Sequence, residues 1–354
     1  MNMLTLIIGD KQFSSWSMRA SIILKEKKVP YQEIIAGLDW PIKFTDSGLI
    51  PINAKDDYDL PKEPASGCGC QLTQLLKIDN TQLLKGSIVE HLPRVPILID
   101  DETNVVICDS LAISEYLEEN FNEFPTLLSD DIVKRNDIRV FSNHIHADLL
   151  PLMSGMSYSN SFRGVDKQEI PEDALEQLEE TLQLLKQTLE RKKKKNWLGQ
   201  FLFGDFSLAD AMFSPIAQQI KGWNIEIQNK EVADYINSLL NRETIKSYLN
   251  QAKEPYELLK QAEKNSPAWI ARHYRFWGEI NMLHNSKKDV YHILDDIGVL
   301  FFTLAFKGHS KEEIVNTTLK KFNIEKDIAL KDIEDFFSKI HPENIIENNL
   351  ELAF

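Results

Sequence analysis

A short apolar run, Leu4 to Ile8, is cut off by Gly9-Asp10 and gives way, past Ser14-Ser15-Trp16-Ser17, to a helix pattern from Met18 to Lys28. Five residues is a strand's length, and serines ahead of an apolar periodic stretch are the residues that cap a helix start. Pro30 resets the chain, and Tyr31 to Ile35 reads as extended. Val95 to Ile99 and Val105 to Cys108 flank the turn-like Asp100-Asp101-Glu102 as a hairpin, and Asp109-Ser110 opens a helix with Ile113, Leu117 and Phe121 on one face. The order β-α-β, then β-β-α, predicts an α/β lobe with a mixed sheet.

Between Leu38 and Leu92 the regularity is lost. Prolines at 41, 51, 61 and 64, the acidic Asp56-Asp57-Tyr58-Asp59 and Gly67-Cys68-Gly69-Cys70 read as an insertion with one helix near Gln71 to Leu76. Cys68 and Cys70 form a C-x-C pair with no second cysteine or histidine pair nearby, so no metal site is expected there. From Leu127 the chain reads as helical. Leu175, Leu178, Leu182, Leu185 and Leu189 form an amphipathic stripe, and Arg191 to Lys195 reads as the cationic end of that helix. His144 and His146, two apart on a predicted helix, face different ways and make a poor metal pair. One of them bordering a substrate cleft is the alternative to packing or surface roles.

After Asn265-Ser266-Pro267 the pattern changes again. Trp277 to Leu283 and Val290 to Leu294 predict two strands. Three short helices are predicted next: Ile297 to Phe306 closed by Gly308, a second from Ser310 with Glu313 as a capping box and Val315, Leu319 and Phe322 on one face, and a third presenting Ile333, Phe337 and Ile340. That is a winged-helix-sized α+β module. Residues 269 to 341 carry 11 Lys/Arg and 11 Asp/Glu, within a chain of net charge −14, so the acidity lies mostly in the body and nucleic-acid or anionic-membrane binding is not expected. No apolar run approaches the ~20 residues of a spanning helix. Met1 to Gly9 lacks a basic leader and a cleavage site, and three cysteines are too few for a disulfide scaffold, so a cytoplasmic location is expected.

Phe13-Ser14-Ser15-Trp16-Ser17-Met18-Arg19 resembles the serine loop of zeta-like and related bacterial glutathione transferases. Arg94-Val95-Pro96-Ile97-Leu98 resembles that family's cis-proline strand, and Asp109-Ser110-Leu111-Ala112-Ile113-Ser114-Glu115-Tyr116-Leu117 its acidic-Ser helix start. Phe203 to Asp210 resembles the family's buried capping box, with Ser207 and Asp210 as its structural pair. The resemblance implies a thioredoxin-like lobe over 1–125 with the insertion at about 38–92, an all-helical lobe over 126–264, a homodimer, and glutathione as cosubstrate. A hydroxyl at a helix N-terminus favours a thiolate by hydrogen bond and dipole. Ser14, then Ser15, is implied in that role, with plain capping as the competing one. Trp16, Arg94, Val95, Pro96, Asp109 and Ser110 are implied glutathione contacts. The family often has Cys where Trp16 stands, so mixed-disulfide chemistry is disfavoured.

Residues 277 to 340 resemble the PqqD family and, more widely, the recognition elements that bind leaders of ribosomally made, modified peptides. The resemblance runs through Ile280 to Leu283, Val290 to Asp295, Gly298, Phe302, Gly308 to Ile314 and Asp332 to Phe337. It implies a PqqD-like domain over 269–341, followed by a tail at 342–354, with a precursor peptide bound around Val290, Tyr291, Ile293 and Phe302 by strand addition. Together the two resemblances imply a transferase that applies glutathione chemistry to a precursor peptide. The alternatives are a general transferase for small electrophiles and a non-catalytic peptide chaperone.

Overall fold

Strand β1 (Leu4–Ile8) is buried at every residue, because it sits inside a four-stranded sheet. The chain continues through α1 (Ser15–Lys27), β2 (Tyr31–Ile35), the short hairpin β3 (Ile42–Thr45) and β4 (Gly48–Pro51), β5 (Ile97–Asp100), β6 (Val105–Cys108) and α2 (Ser110–Asn120). The computed structural model describes residues 4–35, 42–45, 48–51, 95–163, 170–277, 281–285 and 290–343. Sheet order is β2-β1-β5-β6, with β1 parallel to β2 and the other pairs antiparallel, the mixed sheet expected.

Three local differences from the sequence reading have physical causes. α1 begins at Ser15 rather than Met18, because Ser14 is already its cap. β5 begins at Ile97 rather than Val95, since the cis Val95–Pro96 step lies ahead of the ladder and Ile97 is the first residue opposite β6, at Cys108. Where only irregular chain and one helix were expected, β3 and β4 pair as a hairpin ending at Pro51, a position where a missing N–H is tolerated. The helix near Gln71 to Leu76, the Cys68–Cys70 pair and Arg94 lie outside the described residues.

The helical part comprises α3 (Ile132–Ala147), α4 (Leu150–Gly155), α5 (Asn160–Arg163), α6 (Glu172–Lys194), α7 (Leu208–Gly222), α8 (Lys230–Leu240) and α9 (Glu243–Gln261). α7 is its hub: Leu208 to Ile220 are all buried, and it packs on α1, α3, α5 and α8. Pro215 within α7 removes the N–H that Ala211 would accept, and the Ser214 hydroxyl donates to that carbonyl instead, at 2.8 Å. The stripe of α6 is rotated from the expected one. Leu178, Leu185 and Leu189 are buried, but Leu175 is 42% exposed, and Ala174, Thr181 and Thr188 fill the face. The threonine hydroxyls make this possible by donating to Gln177 and Leu184 carbonyls. The basic run ends α6, and Lys192 donates to the carbonyls of Gly199 and Phe201 at 2.9 Å each.

The elements up to Ala252, within α9, belong to one compact unit, Met1–Ala252, and Lys253–Phe354 forms a second. In the second, α10 (Pro267–Arg272) precedes an antiparallel sheet of three strands, β7 (Arg275–Trp277), β8 (Met282–Asn285) and β9 (Val290–Ile293), and then α11 (Asp296–Phe306), α12 (Lys311–Lys321) and α13 (Lys326–Lys339). Three strands are described where two were expected: β7 ends at Trp277, and Asn281, with φ +50°, stands immediately ahead of β8. This unit has its own core, including Leu283, Phe301, Phe302, Ile314, Val315, Ile333, Phe337 and Ile340. Ser310 and Glu313 form the reciprocal capping box, and Gly308 follows α11 at φ +94°. The buried face of α12 is Ile314, Val315 and Thr318; Phe322 is its C-cap rather than part of that face. Among the described residues no helix is long and apolar enough to cross a membrane.

Asp210, fully buried at the start of α7, accepts the Ser207 N–H and hydroxyl at 2.9 and 2.8 Å, the Leu202 N–H at 3.2 Å and the Tyr235 hydroxyl at 3.0 Å. Burial pushes its carboxyl up, against the pull of these donors. Removing the acceptor would strand four donors, so Asp210→Ala is expected to destabilise the protein by about 3 kcal/mol or more, and Tyr235→Phe by about 1 to 2 kcal/mol. Urea unfolding followed by circular dichroism checks both values and their order.

Candidate functional site

The loop between β1 and α1 is held by a small buried hydrogen-bond network. Ser14 is the N-cap: its Oγ accepts the Ser17 N–H at 3.2 Å, and its hydroxyl donates to Ser17 Oγ at 2.7 Å. Ser17 Oγ also accepts the Gly9 N–H at 3.0 Å. Ser14 is therefore occupied with capping. Ser15, the first residue of the helix, is 2% exposed, and its hydroxyl makes no hydrogen bond among the described residues.

Trp16 follows, with the guanidinium of Arg19 4.2 Å from its ring centroid. Arg19 is fully buried, an unusual place for this residue type, and donates to the Ile145 carbonyl at 3.2 Å. The opposite end of α3 from its cap thus reaches the start of α1. His146, one residue on, packs edge-on against Trp16 with ring centroids 4.9 Å apart.

Asp109 and Ser110 open α2. Asp109 has φ +85° and ψ 132°, a strained conformation for a residue with a Cβ, and its side chain takes the N–H groups of Leu111 and Ala112 on Oδ1 at 2.8 and 3.2 Å. Its other oxygen, Oδ2, lies 3.0 Å from His146 Nε2. Burial works to raise the Asp109 carboxyl, but the His146 contact and the two amides outweigh it and hold the group below the ordinary Asp range. Ser110 is fully buried, and its Oγ has no hydrogen-bond partner among the described residues. Val95 is 4% exposed, and the Pro96 carbonyl accepts the Asp109 N–H at 3.3 Å.

Serine loop, Trp16, Val95-Pro96 and Asp109-Ser110 are thus drawn together through Trp16, His146 and Asp109. Ser207 and Asp210 lie apart from them, in the α7 cap. Arg94 is outside the described residues, as are the side chains of Val290 and Tyr291, while Ile293 of β9 is 52% exposed and Phe302 is buried in the second unit. The sequence reading missed Ser17 and Arg19, which nothing in their local pattern marks, and left His146 undecided. Clefts of about 440 and 600 Å³ occur elsewhere, around Arg242, whose guanidinium is bound by Glu26, and neither includes the serine loop. Among the described residues no group of three or more His, Cys, Asp or Glu is placed to hold a metal ion.

Residues 13–120 match the family model "Glutathione S-transferase, N-terminal domain". The first unit is glutathione-transferase-like. Glutathione S-transferase 3 of soybean, Glycine max, is 24% identical over 174 residues, covering 48% of this chain and 74% of the relative. Solved structures of similar transferases include a homologue from Burkholderia with bound glutathione (18% identity, TM-score 0.43, 72% of this chain and 99% of that one). A Tau class enzyme from mango, Mangifera indica, is 19% identical with a TM-score of 0.46, covering 72% of this chain and 97% of its own. The transferase-like unit has the mixed four-stranded sheet followed by helices that the serine-loop resemblance implied.

The lowered Asp109 carboxyl gives a signed pH dependence. A depressed acid stabilises the fold above its unfolded-state value, about 3.9, and that contribution is lost as pH falls through the folded value. Asp109→Asn keeps the capping oxygen but not the charge. It is expected to lower the thermal midpoint at pH 7, with the gap from wild type closing as the pH falls below about 4; thermal melts across pH 3 to 7 check this.

Proposed function

We propose that this chain is a glutathione transferase whose second unit recognises a precursor peptide. The observation that carries the first half is the buried Ser110 hydroxyl at the start of α2, without a partner among the described residues. A buried hydroxyl without a partner costs stability unless a ligand completes it, and a helix N-terminus favours an anion. The γ-glutamyl carboxylate of glutathione supplies that acceptor, with its ammonium meeting Asp109. Val95, outside the strand ladder, pairs by its backbone with the cysteinyl unit, and Trp16 completes the contacts. Glutathione is the ligand present in the Burkholderia homologue, which supports this choice.

The sulfur lies at the N-terminus of α1. Of the two serines, Ser15 is the better donor to a thiolate, because the Ser14 proton is engaged by Ser17. The thiolate adds to the β-carbon of an electrophilic double bond such as a dehydroalanine, forming the C–S bond while the α-carbon takes up a proton. Reversal of the addition would serve elimination or isomerisation.

The second half rests on the β7-β8-β9 sheet. β9 is an edge strand with a half-exposed Ile293, the form of surface to which a peptide adds by backbone pairing. Holding a leader there raises the local concentration of the core peptide. A homodimer in the cytoplasm is the setting this reading takes.

Two measurements test it. Ser15→Ala should lower glutathione turnover with a small electrophile by about 10²-fold or more, while Ser14→Ala mainly costs about 1 kcal/mol of cap stability; unchanged turnover in both variants removes the serine mechanism. Deleting everything after Asn265 should abolish leader binding and slow modification of a full precursor, with turnover of a small electrophile largely kept. Equal processing of the precursor by both forms would replace the peptide reading with general conjugation of small electrophiles.

A further inference from the structure

His146 reaches the start of α2 from a different element, α3, and makes one polar contact there, Nε2 to Asp109 Oδ2 at 3.0 Å. Its other ring nitrogen, Nδ1, is buried without a partner among the described residues. A residue kept only for packing has no need of a nitrogen stranded in this way, since an apolar ring of the same size would avoid that cost. The ring is also fixed from its other side, edge-on to Trp16, whose face carries Arg19. Its placement is therefore set by α1, and what it acts upon is Asp109.

The state of Asp109 shows what that contact does. Oδ1 is taken up by the amides of Leu111 and Ala112, so any ligand contact falls to Oδ2. A carboxylate oxygen has two acceptor positions, and His146 occupies one of them on Oδ2. The side chain of Asp109 is 42% exposed, which leaves the remaining position open to a cation. Without the imidazole, Oδ2 is free to turn toward solvent, whereas with it the carboxylate is oriented before the ligand arrives.

We propose that His146 is a positioning residue for glutathione, orienting Asp109 Oδ2 to receive the γ-glutamyl ammonium. This rests on the glutathione site proposed above. The imidazole itself does not touch the ligand. Its effect is confined to the ammonium end, and the thiol chemistry at α1 is left as it is.

The test uses the full chain, with glutathione and its deamino analogue, in which the γ-glutamyl ammonium is replaced by hydrogen, titrated by calorimetry. Wild type should prefer glutathione. His146→Ala should weaken glutathione binding about tenfold while changing the analogue less than about twofold, and raise KM for glutathione with kcat little altered. His146→Gln, whose amide can donate to Oδ2, should recover most of the loss. Equal weakening of both ligands would show a merely structural role, and no weakening of either would show no role; each overturns the proposal. Failure of the wild-type chain to bind either ligand would instead overturn the glutathione site itself, and this inference with it.

Discussion

The Ser17 hydroxyl is the point on which the first unit's site depends. By accepting both the Gly9 N–H and the Ser14 hydroxyl, it ties the end of β1 to the start of α1 across a loop that would otherwise have to satisfy those donors with water. The loop is buried at Ser14, Ser15 and Ser17, so water is not freely available to it. One buried oxygen thus sets where the helix begins, and with it which serine is a cap and which stands at the first helical position with its hydroxyl free among the described residues. The rest follows from α1 being fixed: Trp16 takes its place beside the helix start, Arg19 lies over Trp16, and the carbonyl that Arg19 binds anchors the end of α3.

Features that depend on local chain chemistry were legible in the sequence. The Leu4 to Ile8 run, the Asp109-Ser110 helix start, the Ser310–Glu313 box and the glycine after α11 each carry their signal within a few residues, and each stands as read. Features set by how a helix is rolled against its neighbours were not. Leu175 belongs to the leucine stripe by spacing, yet it lies exposed while Ala174, Thr181 and Thr188 are buried with Leu178, Leu185 and Leu189. A threonine in such a stripe reads as polar, although donation to its own helix's carbonyls makes it serviceable as a core residue.

The same distinction separates the site residues. Ser14, Ser15 and Ser110 are recognisable because they precede or open helices, whereas Arg19 and His146 owe their positions to contacts more than thirty residues away in the chain. A charged residue mid-helix ordinarily reads as solvent-facing, and Arg19 defeats that expectation because the Trp16 face and the Ile145 carbonyl give its guanidinium partners inside. The histidine pair could be sorted only by knowing which face of α3 meets the sheet lobe. His144 pairs with Asp148 four residues on, a contact within the helix's own surface, and His146 points the other way.

The arrangement also answers an electrostatic problem. Trp16 sits in the first turn of α1 and Asp109 caps α2, and His146 touches both, so two helix N-termini come within one side chain's reach of each other. Each end carries a partial positive charge and unpaired N–H groups, and bringing two together is unfavourable in a region where water is scarce. Asp109 offsets this by capping α2 with a full negative charge, strained into position at φ +85°. Asp109 serves α2 in this way, and α1 is left without an acid: the first turn of that helix contains none. The positive end that carries Ser15 therefore has no acid of its own and favours an anion brought to it.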